Sequence, residues 1–322
     1  MKKPLIILTG PTAVGKTSLS LKLARQIGGE IISADSMQVY KHMDIGSAKV
    51  MPEEREGIPH YLIDECEPWE EFHIVRFQQA AKKCMEQIYS HGNIPILVGG
   101  TGFFIQSVLY DIDFSNQDSN PEYRSKLEEI AENKGNHFLH AMLQQVDAKA
   151  AEEIHANNRK RLIRALEYHH ITGQKISEHN EAQREKESPY NFLYLVLNDR
   201  RDLLYEKIEK RVDQMMEQGL LQEVKKLKEM GCTRDMVSMQ GLGYKELIDY
   251  LDGKCSLEEA VYIIKRDTRH FAKRQITWFK RERDVTWINK YDFHYDENAI
   301  LEYLDQLIQQ KNISAKETNH GE

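Results

Sequence analysis

The sequence predicts an α/β protein in which helices flank a parallel β-sheet. Three observations support this fold class. Short apolar runs alternate with segments of helical spacing in the N-terminal third of the chain, and glycine-rich or polar segments follow the apolar runs. The chain also has 322 residues, 40% of them hydrophobic, which is enough to bury a substantial core in one or two domains.

The predicted strands and helices alternate from the N terminus onward. Residues 5–9 form an apolar run that predicts a strand, and residues 17–27 place Leu and Ile at helical spacing. Further apolar runs predict strands at residues 30–34 and 94–98. Ligands bind at the carboxyl ends of parallel strands. We therefore expect the segments that follow these strands to share one pocket.

The second half of the chain is expected to be mainly helical. The strand signal disappears between residues 114 and 189, which predicts a helical insertion, and it returns at residues 192–197. From residue 202 to residue 287 the pattern predicts an almost wholly helical chain. The predicted organisation is a catalytic core of residues 1–113 and 190–310, a helical insertion at 114–189 and a flexible tail at 311–322.

Composition excludes several classes of protein. The sequence contains no run of 18 apolar residues, so we expect no membrane span or secretory signal, and a cytoplasmic location. The cysteines are scattered without a C-x-x-C pair, which indicates idle thiols: Cys66, Cys84, Cys232 and Cys255. A net charge of −7 argues against nucleic-acid binding, but it conceals local basic blocks.

A glycine-rich segment after the first predicted strand carries the strongest chemical signal. Its sequence, G-P-T-A-V-G-K-T, fits the P-loop pattern G-x-x-x-x-G-K-[ST] and predicts a P-loop NTPase-like core. The backbone N–H groups would cradle phosphate oxygens, Lys16 would neutralise their charge, and the Thr17 hydroxyl would hold Mg²⁺. The candidate diphosphate ligands are Gly10, Pro11, Thr12, Ala13, Val14, Gly15, Lys16 and Thr17. The motif alone leaves the reaction open, and a kinase is its first expectation.

Asp35 and Thr101 follow the second and third predicted strands. Asp35 is compatible with a role as a magnesium carboxylate, a general base or a helix cap, and its spacing favours none of them. Thr101 lies among Gly99, Gly100 and Gly102, which allow the backbone to approach a ligand closely. A simple helix N-cap is the alternative for Thr101.

Several segments in a fixed order resemble one known family. They are G-P-T-A-V-G-K-T, then I-I-S-A-D-S-M-Q-V-Y from Ile31, D-I-G-S-A-K from Asp44, V-G-G-T-G from Val98, N-N-R-K-R-L-I-R-A-L-E from Asn157, Q-G-L-G-Y-K-E from Gln240 and F-A-K-R-Q-I-T-W-F from Phe271. Over about residues 4–290 the chain resembles the bacterial tRNA dimethylallyltransferases, also called isopentenylpyrophosphate:tRNA transferases. It departs from the family pattern at Phe104, where Tyr is frequent, and at Ala156, where Pro is common.

The resemblance implies a specific reaction. The family transfers a dimethylallyl group from dimethylallyl diphosphate to N6 of adenosine 37, beside the anticodon of tRNA, and releases diphosphate. It implies that the P-loop holds the prenyl diphosphate, that Mg²⁺ is the cofactor and that the partner is a tRNA anticodon stem-loop. We expect no membrane association and no obligate protein partner.

The same resemblance assigns roles to individual residues. Asp35 would accept or orient the proton of the adenine amino group, and Thr101 would touch the target nucleotide or the diphosphate. Arg211 matches an arginine that faces the diphosphate, although Lys207 and Lys210 lie close to it in sequence and a solvated helix face explains all three equally well. The residues assigned to tRNA contact are Asp35, Ser36, Met37, Gln38, Thr101, Arg124, Lys160, Arg161, Leu162, Ile163 and Arg164.

Two basic blocks are candidates for holding RNA. One lies at residues 159–164, where Lys160 and Arg164 fall one helical turn apart. The other spans residues 265–283, where Lys and Arg outnumber acidic residues and alternate with aromatic side chains. Helical spacing in this block favours core positions for Trp278 and Phe279 over stacking against bases.

Three other functions are compatible with parts of the sequence. A small-molecule kinase would use the P-loop but gives no reason for an arginine-rich insertion. A prenyltransferase acting on free adenine nucleotides would keep the P-loop and Asp35 without needing the basic blocks. A nucleotide-switched RNA-binding module would require hydrolytic residues that the sequence does not indicate.

Overall fold

The computed structural model describes residues 2–114 and 120–314, which fall into two compact units. The first unit comprises Met1–Leu109 and Pro189–Glu322, and the second comprises Tyr110–Ser188. Part of the predicted insertion, residues 115–119, and most of the predicted tail, residues 315–322, lie outside the described residues.

Within the described residues, the first unit contains a single parallel sheet of six strands. The strands are β1 (Lys3–Thr9), β2 (Gly29–Ser33), β3 (His60–Tyr61), β4 (Ile94–Gly99), β5 (Tyr190–Asn198) and β6 (Val285–Asn289). Their order across the sheet is β3-β2-β4-β1-β5-β6, and every pairing is parallel. The predicted fold class is confirmed.

Helices account for most of the remaining described chain. Those of the first unit are α1 (Lys16–Ile27), α2 (Ile74–Ser90), α3 (Gly102–Leu109), α9 (Arg201–Gln218), α10 (Leu220–Glu229), α11 (Tyr244–Leu251), α12 (Leu257–Phe279) and α13 (Glu297–Gln310). Those of the second unit are α4 (Pro121–Lys134), α5 (Asn136–Val146), α6 (Ala148–Glu153), α7 (Arg159–Thr172) and α8 (Ile176–Glu185). None of the described helices is long and apolar enough to cross a membrane.

The central position of β1 explains its unbroken apolar run. It pairs with β4 on one side and with β5 on the other, and Leu5, Ile6, Ile7 and Leu8 have no exposed surface. Helices cover a parallel sheet on both faces, so its strands are apolar at every position instead of alternating. Leu19 and Leu23 of α1, at i and i+4, belong to the same core cluster. This packing fixes the end of β1 and the start of α1, and with them the loop between.

The expectation of an almost wholly helical chain between residues 202 and 287 is wrong at its C-terminal end. Residues Val285–Asn289, with sequence V-T-W-I-N, form the edge strand β6 and pair with β5 from Tyr194 to Asn198. The two-residue strand β3 was also not predicted. Both strands are short edge strands held by partners distant in sequence, so local spacing gives little sign of them.

The second unit is built from helices throughout its described residues. Its core cluster combines Leu127 of α4, Leu139 and Leu143 of α5, and Leu162 and Leu166 of α7. Gly173 ends α7 in the left-handed conformation at φ 68°, and its N–H bonds the carbonyl of His169.

Candidate active site

Three strand ends form the floor of one cavity in the first unit. Thr9 of β1 lies beside Gly99 of β4 in register, and its hydroxyl donates to the Gly99 carbonyl at 2.6 Å. Ser33 of β2 lies beside Val98 on the other side of β4. The loops after β1, β2 and β4 therefore meet at one edge of the sheet. They border a cavity of about 350 Å³, a volume suited to a small ligand.

Glycine is required at two places in these loops. A Cβ atom on Gly10 would lie 2.2 Å from the carbonyl oxygen of Leu197, and one on Gly99 would lie 2.2 Å from that of Ala34. Gly10 also has φ +148°, in the region that side chains rarely adopt. A larger residue at Gly10 would push the P-loop away from the end of β5, and one at Gly99 would push the end of β4 away from the end of β2.

Lys16 places a cation inside the P-loop. Its ammonium group donates to the carbonyl oxygens of Gly10 and Pro11 at 3.0 and 2.9 Å. Burial and the nearby charge of Arg211 lower the pKa of Lys16 to about 8, whereas Asp35 acts in the opposite direction. A positive charge held in a desolvated pocket is strongly attracted to an anion that enters it.

The packing of α9 distinguishes Lys207, Lys210 and Arg211, which their spacing in the sequence could not. Lys207 and Arg211, one turn apart, both line the cavity. Lys210 is exposed and pairs with Glu206 at 2.7 Å. Lys207 also bonds the buried carboxylate of Asp199, which follows β5.

Of the two α9 cations that line the cavity, Lys207 and Arg211, Arg211 has fewer protein contacts. Its guanidinium has no hydrogen-bond partner among the described residues. Burial lowers the pKa of Arg211, and the neighbouring Asp35 raises it. A desolvated guanidinium without a protein partner leaves its donors free for an anionic ligand.

Asp35 and Thr101 lie on adjoining loops. Asp35 lines the cavity, and its Oδ1 accepts a hydrogen bond from the N–H of Met37 at 2.8 Å. The chain after Asp35 forms turns instead of a helix, so Asp35 is not a helix cap. The Thr101 hydroxyl accepts from the N–H of Ser36 at 3.3 Å, which ties the start of α3 to the Asp35 turn.

The remaining residues of the predicted segment 35–38 have different environments. Gln38 lines the cavity, accepts from the Ser33 hydroxyl and donates to the carbonyl of Ala48 at 3.2 Å. Met37 packs against Gly241, where an added Cβ would approach its Cε to 2.6 Å. Met37 and Gln38 are thus held by contacts within the first unit.

Glu223 holds one wall of the cavity and was not recognised in the sequence. Its carboxylate accepts from the consecutive N–H groups of Asp44, Ile45 and Gly46 at 2.8–3.1 Å, and from the Tyr244 hydroxyl at 2.8 Å. Three successive N–H groups form a natural anion-binding concavity. Their occupant here is a side chain that fixes the loop leading to Ser47 and Ala48, which line the cavity.

The cavity also has apolar lining residues. Ile31, Val50, Ile63 and Val98 line it, together with His60. Burial lowers the pKa of His60, and its Nδ1 lies 2.8 Å from the carbonyl of Ile58. The cavity lining therefore combines the P-loop and buried cations with apolar side chains.

The basic block on α12 divides into paired and unpaired cations. Lys265, Arg266 and Arg269 form ion pairs with Asp213, Asp267 and Glu209. Lys273, Arg274 and Arg281 have no carboxylate partner among the described residues, and they line a surface groove with His270, Thr277 and Trp278. The second set is the one available to an anionic partner.

The aromatic residues of this block also have different positions. Phe279 is fully buried, as its spacing predicted. Trp278 is only partly buried; it borders the groove and packs edge-on against Phe103, whose side chain is 44% exposed, with 6.2 Å between ring centroids. The prediction of a core position is therefore right for Phe279 and wrong for Trp278.

The predicted RNA contacts of the second unit fall into an exposed and a buried set. Lys160, Arg161 and Arg164 are exposed on α7, whereas Leu162 and Ile163 are buried in the helical core. The side chains of these two apolar residues therefore pack the core and offer no surface for RNA.

Arg124 of α4 belongs to the same region of the second unit. It bonds the nearly buried carboxylate of Glu167 at 2.6 Å. Arg164 lies close enough to Glu167 and Arg124 for both charges to act on it. The structure thus gathers Arg124 and Arg164 around one carboxylate.

Comparison with known proteins identifies the family. Residues 38–282, most of the chain, match the model of a family described as IPP transferase. The chain belongs to the IPP transferase family. The predicted family is confirmed, and the matched range contains Thr101, Arg211 and Glu223 together with Gln275 of α12.

Relatives and solved structures agree with this assignment. The tRNA dimethylallyltransferase of Lachnoclostridium phytofermentans is 60% identical over 97% of this chain and 99% of its own length. That of Acetivibrio thermocellus is 52% identical over 92% of this chain and 94% of its own length. The full-length tRNA isopentenylpyrophosphate transferase of Bacillus halodurans has a TM-score of 0.73 at 43% identity, with 97% of this chain and 98% of that chain covered.

The fold extends to a more distant member of the family. A eukaryotic dimethylallyltransferase, captured in crystallographic snapshots acting on tRNA, has a TM-score of 0.83 at 31% identity. The similarity covers 98% of this chain and 81% of that chain. The IPP transferase fold is therefore shared along nearly the whole of this sequence.

Proposed function

We propose that this chain transfers a dimethylallyl group from dimethylallyl diphosphate to N6 of adenosine 37 in tRNA, giving N6-(dimethylallyl)adenosine and diphosphate. The observation that carries the proposal is the cavity of the first unit. Its lining combines P-loop residues, the cations Lys16 and Arg211, apolar side chains and Asp35. Membership of the IPP transferase family, with relatives named tRNA dimethylallyltransferase, favours prenyl transfer over phosphoryl transfer and so sets aside the kinase.

The two kinds of lining residue suit the two parts of the donor. Backbone N–H groups of the P-loop, Lys16 and Arg211 would bind the diphosphate. Ile31, Ile63 and Val98 would cover the five-carbon tail, which gains by leaving water. In this orientation the diphosphate, which takes up the negative charge as it leaves, stays against the cations.

The transfer step balances without a further reactant. The adenine N6 forms a bond to the allylic C1 of the donor, and the bond from C1 to the diphosphate oxygen breaks with its electron pair. N6 then carries an extra proton, which Asp35 would accept or orient. Thr101, tied to Ser36 beside Asp35, would hold this side of the acceptor site.

The residues of the cavity fit a magnesium ion that is held largely by the substrate. Thr17 offers a hydroxyl at the cavity, and no cluster of three or more His, Cys, Asp or Glu side chains suited to a metal occurs among the described residues. A small protein donor set fits Mg²⁺, which usually retains water and phosphate ligands. When bound, the ion would neutralise charge that develops on the diphosphate.

RNA binding would rest on the unpaired cations of each unit. In the first unit these are Lys273, Arg274 and Arg281 on α12, and in the second they include Lys160 and Arg161 on α7. Arg164 lies on the same helix but is close to the carboxylate of Glu167. Chemistry on N6 also requires the adenosine to leave its stack and enter a pocket. A prenyltransferase of free nucleotides would not need these surfaces.

Asp35→Asn tests the proposed proton acceptor. Asparagine keeps the side-chain oxygen that accepts from the N–H of Met37, so the turn should survive while the negative charge is lost. We expect kcat to fall by about 10²–10⁴-fold with tRNA affinity unchanged, as measured by single-turnover transfer and filter binding. Unaltered turnover would contradict the role of Asp35.

Asp296→Asn provides the matched control. Asp296 Oδ1 accepts from the N–H of Asn298 at 2.9 Å, the same two-residue turn as at Asp35, but at the start of α13. This variant should transfer the prenyl group at the wild-type rate. An equal loss in both variants would indicate a general effect of the substitution on folding.

A further inference from the structure

The side-chain amide of Gln275 joins two loops of the active site. Its Oε1 accepts a hydrogen bond from the N–H of Thr12 in the P-loop at 2.9 Å, and its Nε2 donates to the carbonyl of Gly100 at 3.0 Å. Gln275 is 6% exposed and lines the cavity. One buried amide thus bonds the loop after β1 and the loop after β4 at the same time.

The position of this amide is tightly fixed. Ala272 and Phe279, on either side of Gln275 along α12, are fully buried. A Cβ atom on Gly100 would lie only 2.2 Å from the Gln275 Nε2 atom, so the amide occupies the space that this glycine leaves open. The contact depends on a rigid helix and a glycine, and neither loop can shift without straining it.

We propose that Gln275 is a positioning residue that sets the P-loop relative to the Gly100–Thr101 loop, and hence the prenyl donor relative to the adenosine. The inference rests on the function proposed above, in which the P-loop holds the donor and Thr101 borders the acceptor. Gln275 acts through Thr12 and Gly100. It leaves the diphosphate to Lys16, Arg211 and the other P-loop N–H groups.

This role predicts a larger effect on turnover than on donor binding. Diphosphate binding uses groups that Gln275 does not supply, whereas the approach of N6 to C1 depends on how the two loops are aligned. Small misplacements of reacting atoms cost up to about 100-fold in rate. Gln275→Leu, which fills the space without either hydrogen bond, should lower kcat by about 10- to 100-fold and change KM for dimethylallyl diphosphate by less than about threefold.

Gln275→Glu supplies a readout that a purely structural role would not move. The protonated carboxyl group can still accept from Thr12 and donate to Gly100, whereas the ionised group would face the Gly100 carbonyl with a negative charge. Burial raises the pKa of a carboxyl group, so the change should fall within the assay range. The ratio of variant to wild-type kcat should rise at least about tenfold as pH falls from 8 to 5.5.

Gln78→Glu is the control for placing a carboxyl group at a buried glutamine. Gln78 is 7% exposed and its Nε2 donates to the carbonyl of Ser107 at 2.7 Å, but it lies on α2 and does not line the cavity. The ratio of its kcat to that of the wild-type protein should not change with pH. Thermal unfolding of each variant at both pH values identifies any loss of folded protein.

The outcomes separate the two proposals. Three results, each obtained while the wild-type protein transfers the prenyl group, would overturn the positioning role alone. They are a kcat ratio of Gln275→Glu to wild type that does not change with pH, a pH dependence of that ratio equal to the one found for Gln78→Glu, and an unchanged kcat in Gln275→Leu. An increase of KM without loss of kcat would also overturn it, because Gln275 would then serve donor binding. No prenyl transfer by the wild-type protein would overturn the proposed function and this inference with it.

Discussion

Burial makes the charge of Lys16 depend on pH in mildly basic solution. Its pKa is lowered to about 8 by burial and by Arg211, so a substantial fraction of the free protein has a neutral Lys16 in mildly basic solution. A bound diphosphate would favour the charged form and raise this pKa. The same environment that strengthens the cation's attraction for an anion also makes its charge dependent on pH.

Proton uptake on donor binding tests this description. Near pH 8, binding of dimethylallyl diphosphate should take up a fraction of a proton, because free Lys16 is partly deprotonated there. Donor affinity should accordingly weaken as pH rises above 8. Calorimetry in two buffers with different ionisation enthalpies measures the uptake. Lys16→Arg, which stays charged throughout, should lose the uptake, and equal uptake in both proteins would assign the proton to another group.

At the residue scale, the sequence allows local motifs to be recognised but does not show which residues far apart in the chain form hydrogen bonds. The P-loop could be recognised because its pattern is a run of consecutive residues. The bond between Thr12 and Gln275 spans 263 positions, and that between Asp44 and Glu223 spans 179, so no spacing rule connects them. Lys207, Lys210 and Arg211 were indistinguishable for a related reason. The direction in which α9 packs, and not its spacing, decides which of them face the cavity.

Helix α12 combines three tasks along its length. Its buried residues pack the core, Gln275 joins two active-site loops, and Lys273, Arg274 and Arg281 face a surface groove. The sequence predicted a basic, amphipathic helix here. It could not separate cations already paired with carboxylates from those that are unpaired, because the partners Glu209 and Asp213 lie on α9.

Salt dependence separates the paired from the unpaired cations. Replacing Lys273, Arg274 and Arg281 with alanine should weaken tRNA binding. It should also reduce the slope of log K against log salt by about 2, because each of the three lost phosphate contacts contributes about 0.7. Filter binding across a potassium chloride series measures this slope. Alanine at Lys265, Arg266 and Arg269 on the same helix is the matched control and should leave the slope almost unchanged. The reverse result would place the RNA on another surface.

The edge strands mark the limit of prediction at the scale of elements. The apolar runs of β1, β4 and β5, and the shorter one of β2, identify strands from sequence because each strand has a neighbour on both sides. Strands β3 and β6 lie at the two edges and have one partner each. Their formation depends on tertiary pairing, which the local sequence does not encode.

At the scale of the whole molecule, the chain joins a sheet-based unit with a helical one. The predicted insertion spanned residues 114–189, and the compact helical unit comprises Tyr110–Ser188. Each unit has its own core cluster and its own exposed cations. The net charge of −7 therefore describes neither surface, and function had to be inferred from where the charges lie.

The reaction proposed for this chain is the transfer of a prenyl group to one adenosine of tRNA. The most direct test incubates the purified protein with Mg²⁺, radiolabelled dimethylallyl diphosphate and an unmodified tRNA transcript, with AMP and ATP as parallel acceptors. A transcript with guanosine at position 37 is the control. We predict label in tRNA alone, located at the adenosine beside the anticodon and absent from the control transcript. Three results would contradict the proposed reaction: label in AMP alone, label that persists in the control transcript, or no label in any acceptor.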